Sequence, residues 1–157
     1  MIMSSIALLA LALLLTGCSW FAAGAPQANF TIQSASYLNP DIQNNPEPIV
    51  VTVYQLKNQF AFKQASYDAL ANNSAAVLGN DLIDKDIMEV RPGKTLEIAK
   101  ALSPDTQYIG IVAAYRDINK ARWHSLLKVP EPGKNANIRL SLESEGVSAS
   151  ISKASRF

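Results

Sequence analysis

Ile49-Val50-Val51-Thr52-Val53-Tyr54-Gln55-Leu56 sets the reading of the rest of the chain. Its residues are β-branched or aromatic almost throughout. Such a run suits a strand covered on most of both faces. Tyr108-Ile109-Gly110-Ile111-Val112-Ala113-Ala114-Tyr115 has the same texture and reads as a second central strand. Gly110 within it marks a bulge or the close approach of a neighbour.

Upstream of the first run, Ala28 to Leu38 alternates in part through Phe30 and Ile32, as a first strand would. Between the two lies a loop, Asn39 to Glu47, with Pro48 at its end. Pro40, Pro46 and Pro48 remove ladder donors and fix φ, so no strand runs through it. Ile42 is its one aliphatic residue.

Downstream, Phe60, Tyr67 and Leu70 fall at helical spacing among alanines, predicting one or two short helices to about Ala71. Ser74 is placed to cap a further turn, Ala75 to Leu78, ended by Gly79. Alternation then resumes at Asp86 to Arg91 and at Thr95 to Ala99, around a Pro92-Gly93 turn. Trp123 to Val129, Ile138 to Leu142 and Val147 to Ile151 follow, separated by Pro130-Glu131-Pro132-Gly133 and by Glu143 to Gly146. The expected fold is mainly β: an antiparallel β-sandwich of about eight strands, with a small helical excursion after the second.

The N-terminus reads differently. An apolar run from Ile6 ends in Leu15-Thr16-Gly17-Cys18, the pattern of a bacterial lipobox. The run is far short of the ~20 residues that span a bilayer. Residues 1–17 are expected to be a lipoprotein signal peptide, although Met1 to Ser5 carry no Lys or Arg. Cys18 is expected to carry the lipid, and residues 18–27 to form a flexible leash before a domain over 28–157. Ser19 follows Cys18 where aspartate would favour retention at the inner membrane, so the outer membrane is expected. Trp20 and Phe21 are placed for the headgroup region.

Composition narrows the function. Fourteen Lys plus Arg balance 13 Asp plus Glu without like-charged runs, which argues against nucleic acid as a partner. His124 is the one histidine and Cys18 the one cysteine, too few for a Cys₂His₂ or His₃ metal site. No serine stands in a Gly-x-Ser-x-Gly elbow, and there is no phosphate-cradling loop. Asp81, Asp84 and Asp86 lack the spacing of a calcium loop and read as solvated turn acids. Tyr115-Arg116-Asp117 reads as a buried tyrosine followed by a strand-end ion pair, or as a partner contact. The expectation is a binding protein: not an enzyme, with no cofactor, metal or small-molecule substrate.

In order along residues 28 to 142, the chain resembles the TssJ lipoproteins of the bacterial type VI secretion system. The likeness is carried by Pro48 to Lys57, by Phe60, Phe62, Tyr67 and Leu70, and by Val77-Leu78-Gly79 with Asp81-Leu82. It continues through Arg91-Pro92-Gly93 and Tyr108 to Asp117 with Trp123. The resemblance implies a transthyretin-like sandwich on an outer-membrane lipoprotein, facing the periplasm. It also implies a partner, the periplasmic C-terminal domain of the inner-membrane protein TssM, which with TssL completes a membrane complex. In that family the loop between the first two strands protrudes and meets TssM. Here this loop is Asn39, Pro40, Asp41, Ile42, Gln43, Asn44, Asn45, Pro46 and Glu47. The chain departs from the family at His124, where arginine often follows the tryptophan. Arg116, Asp117 and Trp123 form the alternative contact region. A pilotin-like lipoprotein binding a secretin peptide is the alternative function. The transthyretin-like fold also houses a urate-pathway hydrolase, but that enzyme needs several histidines.

Overall fold

The structure, a computed structural model, describes residues 25–152. Cys18 and the expected cleavage site lie outside the described residues. The strands are β1 (Gln27–Ser34), β2 (Ile49–Leu56), β3 (Leu82–Val90), β4 (Thr95–Ala101), β5 (Tyr108–Ala113), β6 (His124–Lys128), β7 (Ala136–Glu143) and β8 (Gly146–Ser152). Helices α1 (Phe60–Gln64) and α2 (Tyr67–Leu78) lie between β2 and β3.

Two four-stranded sheets, ordered β4-β1-β7-β8 and β3-β2-β5-β6, make the sandwich. Side-chain alternation supplies its core. Phe30, Ile32, Ile138 and Leu140 from one sheet and Val51, Val53, Ile109 and Ile111 from the other join one buried cluster, none more than 5% exposed. The sandwich is not wholly antiparallel as expected, because β1 and β7 pair in parallel, with Phe30 opposite Ile138 and Ile32 opposite Leu140. In this register the apolar sets of both strands face inward together; a slip by one residue would turn one set to solvent.

Bonds close both flanks. On one, the Arg122 N–H donates to Glu145 O at 3.0 Å and the Val147 N–H to Arg122 O at 2.9 Å. On the other, Lys100 of β4 meets Asp86 of β3 at 2.7 Å. Asp84 and Asp86 are therefore strand residues and not turn acids, and Asp86 has a cationic partner.

The outer face of β2 and β5 is covered by the helices. Tyr54, Leu56 and Val112 pack with Phe62, Leu70 and Leu78 in a second buried cluster. Gly110 provides the space for Phe62: a Cβ there would lie 2.6 Å from the ring, the close approach its sequence position suggested. The Tyr54 hydroxyl donates to Leu70 O at 3.1 Å, so the layer is fastened by polar bonds as well as by packing. Cover stops short of the N-terminal end of β2, where Val50 is 43% exposed.

Two local expectations need correction. β1 ends at Ser34, short of Leu38, because the Ser34 hydroxyl donates to Arg91 O at 2.7 Å and its N–H to Lys94 O at 2.9 Å, tying the strand end to the Pro92-Gly93 turn. The expected further turn is present, set off from the first part of α2 by a kink at Asn73 and ended by Gly79, but Ser74 is not seen to cap it: Ser74 is buried with its hydroxyl accepting from Lys85 Nζ at 3.2 Å.

Strand direction gives the domain two poles. At the start of β1, Pro26 O accepts from the Leu102 N–H at 2.7 Å, and the Gln27 N–H donates to Asn135 Oδ1 at 2.8 Å. The β4–β5 and β6–β7 connections share this N-terminal pole. β1 then runs the length of the sandwich, about 26 Å for eight residues. It delivers the chain to the opposite pole, where the β1–β2 loop, the β5–β6 connection and the β7–β8 turn meet.

Candidate functional site

The loop Asn39 to Glu47 is built largely from its own polar groups. Its neck is closed by the Glu47 N–H donating to Leu38 O at 3.0 Å, and Leu38 is fully buried beneath. Asn39 is the hinge. It adopts a φ of 45°, the left-handed region that asparagine enters more readily than other side chains. Its Oδ1 accepts from the Arg116 N–H at 2.8 Å, and its Nδ2 donates to Pro48 O at 3.1 Å. One buried amide thus ties both ends of the loop to the β5–β6 connection. Asn39 supports the loop and is too buried, at 8% exposure, to offer a partner much surface.

Asp41 organises the tip. Its Oδ1 accepts from the N–H groups of Gln43 and Asn45, both at 2.8 Å, and its Oδ2 accepts from Asn45 Nδ2 at 3.1 Å. A backbone pair reinforces the turn, with Asp41 N–H to Asn45 O at 2.9 Å and Asn44 N–H to Asp41 O at 3.0 Å. The bonds from Asn45 hold the Asp41 carboxyl below the usual carboxylate range, aided by the Gln43 N–H and the charge of Arg116. Asn44 takes a φ of 65° at the turn, and its side chain accepts from the Tyr37 hydroxyl at 3.1 Å. These bonds leave Ile42 at the tip with 86% of its surface in solvent. Gln43, Asn44, Asn45 and Pro46 around it are also exposed.

A cleft of about 170 Å³ opens beside the loop, lined by Asn39, Pro40, Tyr115, Arg116, Asp117 and Glu145, among others. Tyr115 is its buried floor. Its hydroxyl donates to Glu143 O at 3.0 Å, and burial pushes its pKa far up, so it stays a neutral donor. The expected Arg116–Asp117 ion pair does not form; Asp117 pairs with Lys120 at 3.0 Å. Nor does Trp123 join these residues. Its ring meets Tyr67 edge-on at 5.6 Å and lies 4.2 Å from His124, within the helical layer. Tyr37 is the loop residue that sequence reading missed. An aromatic just ahead of an asparagine-rich loop was the available signal.

This arrangement can bind, through an ordered polar loop with an aliphatic tip. Among the described residues no cluster of His, Cys, Asp or Glu is placed to hold a metal ion.

The model of the family described as "Type VI secretion lipoprotein, VasD, EvfM, TssJ" matches residues 26–145. The chain belongs to the TssJ family. Solved structures agree. The type VI lipoprotein TssJ1 from Pseudomonas aeruginosa is 30% identical, with a TM-score of 0.78 over 83% of this chain and 99% of that one. Serratia marcescens Lip, a membrane-bound component of the type VI secretion system, is 24% identical, with a TM-score of 0.74 over 81% and 97%. A chain of a type VI membrane complex shares the fold at 22% identity, with a TM-score of 0.69 over 80% and 98%. No curated protein matches. The sandwich is thus that of a type VI secretion lipoprotein.

Proposed function

We propose that this TssJ-family protein is an outer-membrane lipoprotein that anchors the type VI secretion membrane complex. In this reading, lipid on Cys18 holds one pole of the domain. The loop Asn39 to Glu47, at the other pole, docks on the periplasmic C-terminal domain of TssM, which joins TssL in the complex. The role is mechanical and calls for no catalysis.

The observation that supports it is the internal order of the loop around an unshielded Ile42. Apolar surface left in water on a segment held by this many bonds favours burial in a partner. A pre-ordered loop also loses less conformational freedom on binding. Ile42 is the candidate anchor, with the polar groups of Gln43, Asn44 and Asn45 as its rim. The family and the presence of a like-folded chain in a type VI membrane complex support the same reading.

The test is Ile42→Asp, measured by calorimetry against the TssM periplasmic domain. Affinity should fall by about 30-fold, as for a hot-spot side chain. The melting temperature should stay within about 2 °C, because the residue is exposed. Unchanged affinity would move the interface to the cleft of Arg116 and Asp117.

A further inference from the structure

The N-terminal pole bears a surface that the loop-docking role leaves unused. α1 lies near it, over the ends of β2 and β5: the Lys57 N–H donates to Asp81 O at 2.9 Å, and the Gln107 N–H to Leu56 O at 3.0 Å. Phe62 of α1 is buried on Gly110, but Phe60, which opens the helix, is 65% exposed. Next to it runs a shallow groove of about 370 Å³, lined by Gln59, Lys63, Tyr108, Leu126 and Lys128. The lining holds two ammonium groups and no carboxylate. Lys57, Lys63 and Lys128 form no ion pair among the described residues, whereas Lys134 nearby is paired with Glu131. Asp81, Asp84, Asp105 and Glu131 of this pole do not line the groove.

An exposed aromatic ring beside unpaired lysines is the composition of a surface that sits at a lipid interface. The ring settles at the headgroup level and the ammonium groups meet anionic phosphates. The course of the chain places this pole at such an interface. Pro26 is bonded to Leu102 here, and Cys18 precedes it by eight residues, a reach of at most about 29 Å. The loop pole is farther along the chain by the length of β1.

We infer that the surface formed by Phe60, Lys63 and Lys128 docks on the anionic headgroups of the leaflet that holds the Cys18 lipid. The inference rests on the lipid-anchor reading and extends it. A second contact at the pole that the Cys18 lipid holds points Asn39 to Glu47 away from the membrane. The attraction is electrostatic at long range, so it weakens as salt shortens the Debye length.

The test uses the full lipidated chain, reconstituted in vesicles of phosphatidylcholine alone or with about one third phosphatidylglycerol. Hydrogen exchange is followed in segments 57–64 and 126–134 and in loop 39–47. With anionic lipid, the first two segments should exchange at least about threefold more slowly than in neutral vesicles, and the loop should be unchanged. Phe60→Ser and the pair Lys63→Glu with Lys128→Glu should each erase that difference; all three side chains are exposed, so the fold should survive. Equal exchange in both vesicle types overturns the inference. Failure of the anchor reading shows itself separately: the protein then does not float with vesicles of either kind, the Cys18 peptide has the mass of an unmodified thiol, and the docking surface falls with it.

Discussion

The chain leaves the sandwich twice between its first three strands, and the two excursions are built on opposite physics. The loop after β1 is held by side-chain amides and one carboxylate, and it turns its aliphatic residue outward. The helical layer after β2 is held by buried rings, with Phe62 against Tyr54 at 5.7 Å and over Gly110. The layer contributes to stability, while the loop contributes shape at almost no cost to the fold. On the proposed function, partner recognition and folding should therefore be separable by mutation.

Phe62→Ala should have the largest effect. It removes a ring that is 1% exposed from a site with little room to collapse, so about 3–5 kcal/mol of stability should be lost. That is a large share of the 5–15 kcal/mol typical of a domain. The midpoint of urea unfolding reads it. At temperatures where the variant is still folded, its affinity for TssM should be that of the wild type. A parallel loss of affinity would mean that the layer and the loop are coupled, and the contrast drawn above would be wrong.

Gly110→Ala approaches the same ring from below. The added methyl falls 2.6 Å from Phe62 Cε2, so ring or strand must move, at about 1–3 kcal/mol. The same unfolding curve measures it, and near-ultraviolet circular dichroism should show the displaced aromatic packing. A neutral outcome would show that α1 shifts freely on the sheet.

Asp41→Ala sharpens the other side of the comparison. It deletes the acceptor of three hydrogen bonds in an exposed loop. The melting temperature should barely move, because the loop is no part of the core. Affinity for TssM should still fall by roughly tenfold, since ordering the tip must then be done on binding. An unchanged affinity with an intact Ile42 would show that the partner, and not Asp41, shapes the loop.

These two regions were not equally legible in the sequence. Alternation along Phe30-Thr31-Ile32 and along Ile138 to Leu142 was enough to place strands, and Gly110 announced its close neighbour. Prolines located the loop, because they deny ladder bonds wherever they fall. What escaped was non-local. The parallel pairing of β1 with β7 depends on which edge remains free once β4 has taken the other, and no local pattern records that. The ties of Asn39 to Arg116 and of Asp86 to Lys100 bridge residues far apart in sequence. The Arg116–Asp117 pair was inferred from adjacency, but Lys120 lies on the same turn as Asp117 and takes its carboxylate instead. The role of Asp41 was closer to hand: an acid followed by asparagines three and four residues on is a local turn pattern.

Acidification separates the two excursions by a smaller effect of definite sign. His124 lies between Trp123 and Phe62, with Nδ1 buried and without a hydrogen-bond partner among the described residues. Burial holds its imidazole below the ordinary histidine range. Asp41 is likewise held below its own range, by the bonds from Asn45. For both groups the native state binds fewer protons than the unfolded chain, so stability rises with pH. The windows differ. The His124 contribution is complete above about pH 6.5 and is lost as pH falls toward its depressed value, whereas the Asp41 contribution persists until pH drops below about 4. Between those limits the helical layer should loosen first. Protection factors, the exchange rates taken relative to the intrinsic amide rate at each pH, should therefore be lower at pH 5 than at pH 7.5 in segment 60–78, while the Gln43 and Asn45 amides keep their protection. His124→Phe should abolish the change in the helices. If the loop amides opened first instead, the carboxylate would be the weaker of the two fastenings, and the assignment of shape to the loop and stability to the layer would have to be reversed.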